Sequence, residues 1–164
     1  MAAFKVLGIN HTSFTVRSLD KAIAFYCDGL GFKLKSRAPR DASATPFVVG
    51  VAGAAVHEVA HIETISGHIL EFVAYSGPAD RGQTTVRPCD SGATHIALDV
   101  DNIEEATALA IQHYFTPLSA KPVAHRTGGP NAGSIIQFLR HEDGYFLELI
   151  QRGGLSEDRS RYLG

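Results

Sequence analysis

The 164-residue chain has no tryptophan, a single methionine and only two cysteines. Cys27 and Cys89 stand 62 positions apart and supply neither a disulfide framework nor the paired-cysteine spacing of a zinc ribbon. An excess of either charge is missing too. Fifteen basic against 17 acidic side chains leave a net charge of −2, which argues against nucleic-acid binding, since that needs a net basic face. The longest apolar stretch, residues 48–56, is interrupted by glycine and is far too short to span a bilayer. Residues 1–7 show no apolar run leading to a small-residue cleavage site. With so little cysteine, the expectation is a cytoplasmic protein without nucleic acid or membrane as partner. What is present is close to the globular average, 45% hydrophobic and 20% charged, in a length that suits one domain with a sizeable core. One count stands out: eight histidines.

Apolar spacing divides the chain into alternating strands and helices. Residues 5–16 read as a strand. Ser18 caps a helix whose Leu19, Ala22, Ile23 and Tyr26 share a face, and Gly29 and Gly31 stop it. Strands are predicted at 32–36, 55–63 and 68–75, with a polar loop at 37–46 and a turn at Ser66 and Gly67. Residues 77–92 are rich in Gly, Pro and polar side chains and read as a linker. The same order then recurs. A strand covers 93–100, and Asn102 with Glu105 resembles a capping box that opens a helix over 103–113. A short strand begins at 116, 122–133 is a loop, and strands at 134–140 and 145–151 flank a turn at 142–144. The layout is one domain over 1–164: a β-α-β-β-β module at 5–76, the linker, a second module at 93–152, and a charged tail at 153–164.

The recurrence holds residue by residue. A shift of 84 positions carries His11 onto His95, Leu19 onto Ile103 and Ala22 onto Ala106, and a shift of 77 carries Gly67 onto Gly144 and Glu71 onto Glu148. The shift falls by seven because the loop at 37–46 lengthens the first half. Each half alone is too small for a good core, so a duplicated unit is expected to pack against its copy. Strand residues alternate between faces. Thr12, Phe14 and Val16 therefore oppose His11 and Ser13, while Ile96, Leu98 and Val100 oppose His95. Leu70 and Phe72 oppose Glu71, and Leu147 and Leu149 oppose Glu148. With a helix over each apolar face, two His and two Glu leave the open side from equivalent positions. Two imidazoles and two carboxylates suit a borderline divalent ion, and two positions of an octahedron remain for water or substrate oxygens.

At the segments INHTSFTVRSLDKAIAFYCDGLGF, GHILEFVAY, GATHIALDVDNIEEA and HEDGYFLELIQ the chain resembles the vicinal oxygen chelate superfamily. That family includes lactoylglutathione lyase, methylmalonyl-CoA epimerase, extradiol dioxygenases and the bleomycin- and fosfomycin-resistance proteins. The resemblance runs from about residue 7 to 151. It implies an α+β fold in which two tandem βαβββ modules form a curved eight-stranded mixed sheet around a metal cleft. It places the ligands at His11, Glu71, His95 and Glu148, and it leaves open whether the four meet within one chain or across two. One divalent ion (Ni, Co, Zn, Mn or Fe), a small-molecule substrate with adjacent oxygens, and a homodimer are expected with it. The His-Glu-His-Glu set is similar to that of bacterial lactoylglutathione lyases and close to the epimerase pattern. The long first loop and the segment FVVGVAGAAVHEVAHIE also resemble the cyclitol epimerases of the superfamily.

These readings converge on a metal-dependent isomerase or epimerase, which moves a proton beside a chelated carbonyl/hydroxyl pair through an enediolate or enolate. The alternatives are a lactoylglutathione lyase, an extradiol-type dioxygenase, and a metal-free ligand-binding or resistance protein on the same fold. Glu148 is the expected base. Glu58 is the candidate second acid/base: it alternates with His57 and His61, and the repeat sets Phe138, an expected core residue, against His61, so that Glu58 would face the cleft. Gln137 and His125 are candidate substrate contacts. His57 and His61 read as helix-side or edge residues, His113 as serving the dipole at a helix C-terminus, and His68 and His141 as solvated residues flanking turns.

Overall fold

A computed structural model of the chain describes residues 4–124 and 133–153. The class is α+β, as expected, with two mixed sheets and few helices. The chain falls into two compact units, 1–82 and 83–164.

In the first unit Ser18 accepts a hydrogen bond from the Lys21 backbone N–H and opens helix α1 (Leu19–Ile23). The helix widens into a π-helical turn over Ala24–Gly29, in which the Leu30 N–H reaches back to the Phe25 carbonyl. Gly31, at φ 72°, then lets the chain reverse. Strands β1 (Thr12–Val16), β2 (Lys33–Pro39), β3 (Ala55–Glu63) and β4 (Ile69–Gly77) form a sheet in the order β1-β4-β3-β2. β1 runs parallel to β4, and the remaining neighbours are antiparallel. Of the strand expected at 5–16 only Thr12–Val16 pairs, and Phe4, Val6, Leu7 and Ile9 are exposed. The expected polar loop also differs. β2 runs on to Pro39, and a short helix α2 (Thr45–Val49) follows, closed by Gly50 at φ 68°. Phe47 and Val48 of α2 are exposed.

The second unit repeats this order with β5 (His95–Asp99), α3 (Ile103–Gln112), β6 (Phe115–Pro117), β8 (Ile135–His141) and β9 (Phe146–Gln151), in the sheet β5-β9-β8-β6. A two-residue strand, β7 (Val123–Ala124), pairs with the start of β8 inside the region expected to be a loop. Asn102 caps α3 by accepting from the Glu104 and Glu105 N–H groups. Gln151 supplies a further acceptor, taking the Ile103 N–H at 2.8 Å.

The expected linker is partly built into this second unit. Gln83 donates to the Glu142 carbonyl and Arg140 to the Val86 carbonyl. Gly144, at φ 98°, lies so close to this strap that a Cβ there would fall 2.6 Å from the Thr84 carbonyl oxygen. Arg87 and Asp90 close a turn just beyond it. His141, expected in solvent, is buried instead. Its Nδ1 accepts the Asp143 N–H, and its ring stacks on Tyr145 at 4.7 Å.

Each core lies between one sheet face and its helix. In the first unit Phe72 is fully buried, with Phe14 stacked on it at 5.5 Å and Tyr26 at 4.8 Å, and Leu19, Ala22, Ile62 and Leu70 complete the cluster. In the second, Ile103 and Ala110 of α3 are buried, as are Leu139, Leu147 and Leu149 of the sheet. Among the described residues no helix is long and apolar enough to cross a membrane. Removing the Phe72 ring leaves a cavity that its rigid neighbours fill poorly. Phe72→Ala is therefore expected to cost about 3–5 kcal/mol in chemical denaturation, and a loss below about 1 kcal/mol would contradict this packing.

Candidate metal centre

Parallel pairing aligns Ser13 with Glu71 in the first unit and Ala97 with Glu148 in the second. These are the same repeat positions, and in each unit the histidine lies two residues before the residue facing the glutamate. Alternation then sets His11, Ser13 and Glu71 on one face, opposite Phe14 and Phe72, and sets His95 and Glu148 together in the same way.

The side chains meet within each unit. His11 Nε2 is 3.3 Å from Glu71 Oε1, and His95 Nε2 is 3.1 Å from Glu148 Oε2. His11 Nδ1 donates to Asn10 Oδ1 at 2.7 Å, so in the neutral ring the Nε2 lone pair faces the carboxylate. Two lone-pair atoms at this separation repel each other unless a proton or a cation lies between them. Neighbouring ligand atoms of an ion with bonds of ~2.1 Å stand about 3.0 Å apart, close to the spacing of both pairs. Glu148 is nine-tenths buried, and among the described residues His95 is its one ionic partner. A carboxylate held this way is costly without further compensation. Each pair, one imidazole and one carboxylate, thus offers donors that suit a divalent ion chemically. Among the described residues no three His, Cys, Asp or Glu side chains are gathered as they stand into a metal cage.

The remaining expected site residues fall elsewhere. Glu58 lies on the helix-covered face with Ala60 and Ile62, since the register pairs it with Ala74 and pairs His61 with Glu71. Arg37 donates to Glu58 at 2.8 Å and also binds Asp20 of α1. The structure therefore does not bring Glu58 to Glu71. The alignment of His61 with Phe138 holds, but Phe138 is not a residue of the helix-covered core. It pairs with Glu148 and meets the His95 ring edge-on at 5.2 Å. Gln137 is likewise on the face opposite Glu148, paired with Leu149 and buried, with Nε2 donating to Ser119. His125, with Gly128 and Gly129 of the same loop, lies outside the described residues.

His61, read from the sequence as an edge or helix-side residue, belongs to the site. Its Nε2 is 3.1 Å from Glu71 Oε2, its Nδ1 is 2.9 Å from Ser36 Oγ, and its ring meets that of His11 edge-on at 6.3 Å. The available signal was cross-strand pairing: counted across the turn at Gly67, His61 stands directly opposite Glu71.

Comparison with known proteins follows the same lines. The fold is that of paired βαβββ modules, with a His–Glu pair on the helix-free face of each. The chain belongs to the Glyoxalase/Bleomycin resistance protein/Dioxygenase superfamily, whose sequence model matches residues 8–149. No curated protein matches it. Among solved structures it is similar to a glyoxalase family protein from Bacillus cereus, at 24% identity over 92% of this chain and 97% of that one, with a TM-score of 0.71. A glyoxalase family protein from Enterococcus faecalis shares 19% identity over 88% of this chain and 97% of that one, with a TM-score of 0.58. A glyoxalase I mutant from Zea mays shares 20% identity over 87% of this chain but 44% of that longer one, with a TM-score of 0.57. At these identities the likeness is one of fold.

Hydrogen bonds from Arg37, and then its charge, hold the Glu58 carboxyl below the ordinary glutamate pKa. The stabilisation from this exposed pair is present above that ordinary value and is lost as pH falls through the lowered one. In Arg37→Ala the Glu58 midpoint, followed by carbon NMR, is expected to rise toward the ordinary value, and an unmoved midpoint would rule out the pairing in solution.

Proposed function

We propose that the protein is a divalent-metal-dependent isomerase or epimerase, acting on a small molecule with adjacent oxygens by proton transfer at the neighbouring carbon. The observation that carries this reading is the matched His–Glu pair of the two halves, in the same strand register and at nearly the same separation. His11, Glu71, His95 and Glu148 would hold the ion. When bound, the ion supplies Lewis acidity, which favours loss of a proton beside the substrate oxygens.

The chain's own groups then divide the remaining work. Glu148 is the base. It is nine-tenths buried and offers a carboxylate oxygen beside His95, while its cross-strand neighbour Phe138 is apolar. Phe138 and the buried part of β9 limit the water that could compete for the transferred proton. Asn10 fixes the tautomer of His11. Glu58, kept ionised by Arg37 on the helix-covered face, takes no part. The same donor set would serve a lactoylglutathione lyase, and the fold likeness to a glyoxalase I makes that the second reading.

The test begins with metal analysis of the purified protein, followed by proton–deuterium exchange. The panel holds α-hydroxyketones, acyl-CoA thioesters and the hemithioacetal of methylglyoxal and glutathione. The expected result is a bound divalent ion and deuterium uptake at the carbon beside the oxygens, abolished by chelator. Glu148→Gln should lower that uptake by about 100-fold or more. Full exchange by Glu148→Gln with metal retained would remove Glu148 as the base. Turnover of the hemithioacetal alone would favour the lyase, and oxygen uptake with catechols a dioxygenase. A protein without divalent ion and indifferent to chelator would be a ligand-binding member of the superfamily.

A further inference from the structure

The two glutamates of the proposed centre are held differently. Glu71 has a partner on each oxygen: Ser13 Oγ donates to Oε1 at 2.9 Å, beside His11, and His61 approaches Oε2 at 3.1 Å. At the positions of Ser13 and His61 the second half carries Ala97 and Phe138, neither of which has a side-chain hydrogen-bonding group. His61 is itself held by Ser36 Oγ, 2.9 Å from Nδ1. Ser36 lies on edge strand β2 and pairs with His61 in the register. Since a carboxylate only accepts, His61 Nε2 carries the hydrogen toward Glu71, and in the neutral ring Nδ1 takes the Ser36 hydroxyl.

The geometry points to His61 as a positioning residue for Glu71. It ties down Oε2, so Glu71 offers a cation only Oε1, on the His11 side, as a fixed ligand with one oxygen. Glu148 has no such anchor among the described residues and keeps the freedom that a proton-transferring carboxylate needs. The inference rests on the metal reading above and adds to it a division of labour: the first half holds and the second half reacts. A hydrogen-bonding partner that orients a metal ligand typically changes metal affinity by about 10- to 100-fold when it is removed.

The experiment is a cobalt(II) titration of the whole protein, followed by calorimetry and by the visible absorption of the bound ion. The parent is compared with His61→Phe, which installs the residue of the second half, and with His61→Gln, whose side-chain amide can still donate to Glu71. His11→Ala serves as the lost-ligand reference, and circular dichroism checks the fold of each variant. The expected result for His61→Phe is binding about 10-fold or more weaker with an altered absorption band, and for His61→Gln a return of both toward the parent. If His61→Phe folds poorly, Ser36→Ala, which loosens His61 from the edge strand, is expected to weaken binding in the same direction. Equal affinity and spectrum in the parent and His61→Phe would overturn the inference and leave the metal reading standing. Binding by His61→Gln as weak as by His61→Phe and His11→Ala would also overturn it, because His61 would then be a ligand itself. A parent that takes up no divalent ion would overturn both readings.

Discussion

The register between the first and last strand of each sheet is the constraint on which the site depends. β1 and β4 run parallel, as do β5 and β9, so a histidine near the start of one strand and a glutamate on its neighbour always present the same face. A slip of one residue in β4 would turn Glu71 under α1, toward Leu19 and Tyr26, and turn Leu70 and Phe72 out to the open face. The apolar alternation that builds each core is therefore also what aims the donors. Core and site are specified by the same residues, read on alternate positions.

Duplication accounts for what the halves share, and divergence for how the pairs are used. Both halves keep the histidine, the glutamate and the pairing between their strands. They differ in the two residues paired across the strands with the glutamate: Ser13 and His61 in the first half, Ala97 and Phe138 in the second. A carboxylate with several donors is pinned, whereas one facing an aromatic ring is not. Two carboxylates of the same origin thus come to have different stiffness and different electrostatic surroundings.

Much of this was legible in the sequence. The bounds of β3, the caps at Ser18 and Asn102, and the turns at Gly67 and Gly144 follow from local chemistry, and the faces of His11, Glu71, His95 and Glu148 follow from alternation and the repeat. The misreadings of Glu58 and His61 share one cause, which is the assumption that an apolar residue marks the helix-covered face. Phe138 is apolar and lies beside Glu148, and from that single inversion Glu58 was turned toward the site and His61 away from it. Gln137 was misread for the complementary reason, since a polar side chain can be buried on the face opposite Glu148 when its amide N–H donates to a loop such as the one carrying Ser119. The strap at residues 83–86 was hidden because its ties are made through Gln83, Arg140 and a glycine that leaves room for it. None of these has an apolar period to read.

The seven-residue difference between the halves can be located by strand pairing. Lys33 faces Glu63 and Thr116 faces Arg140, so the loop closed by that first pair is six residues longer than its counterpart. Nearly all the extra chain, α2 included, therefore hangs from the ends of β2 and β3, away from the strand pairs that carry the donors. Such an insertion is mechanically silent: it adds chain between β2 and β3 without shifting the register that sets His61 against Glu71. This one segment can be lengthened, shortened or replaced as a cassette while the strand pairs beneath it stay in register.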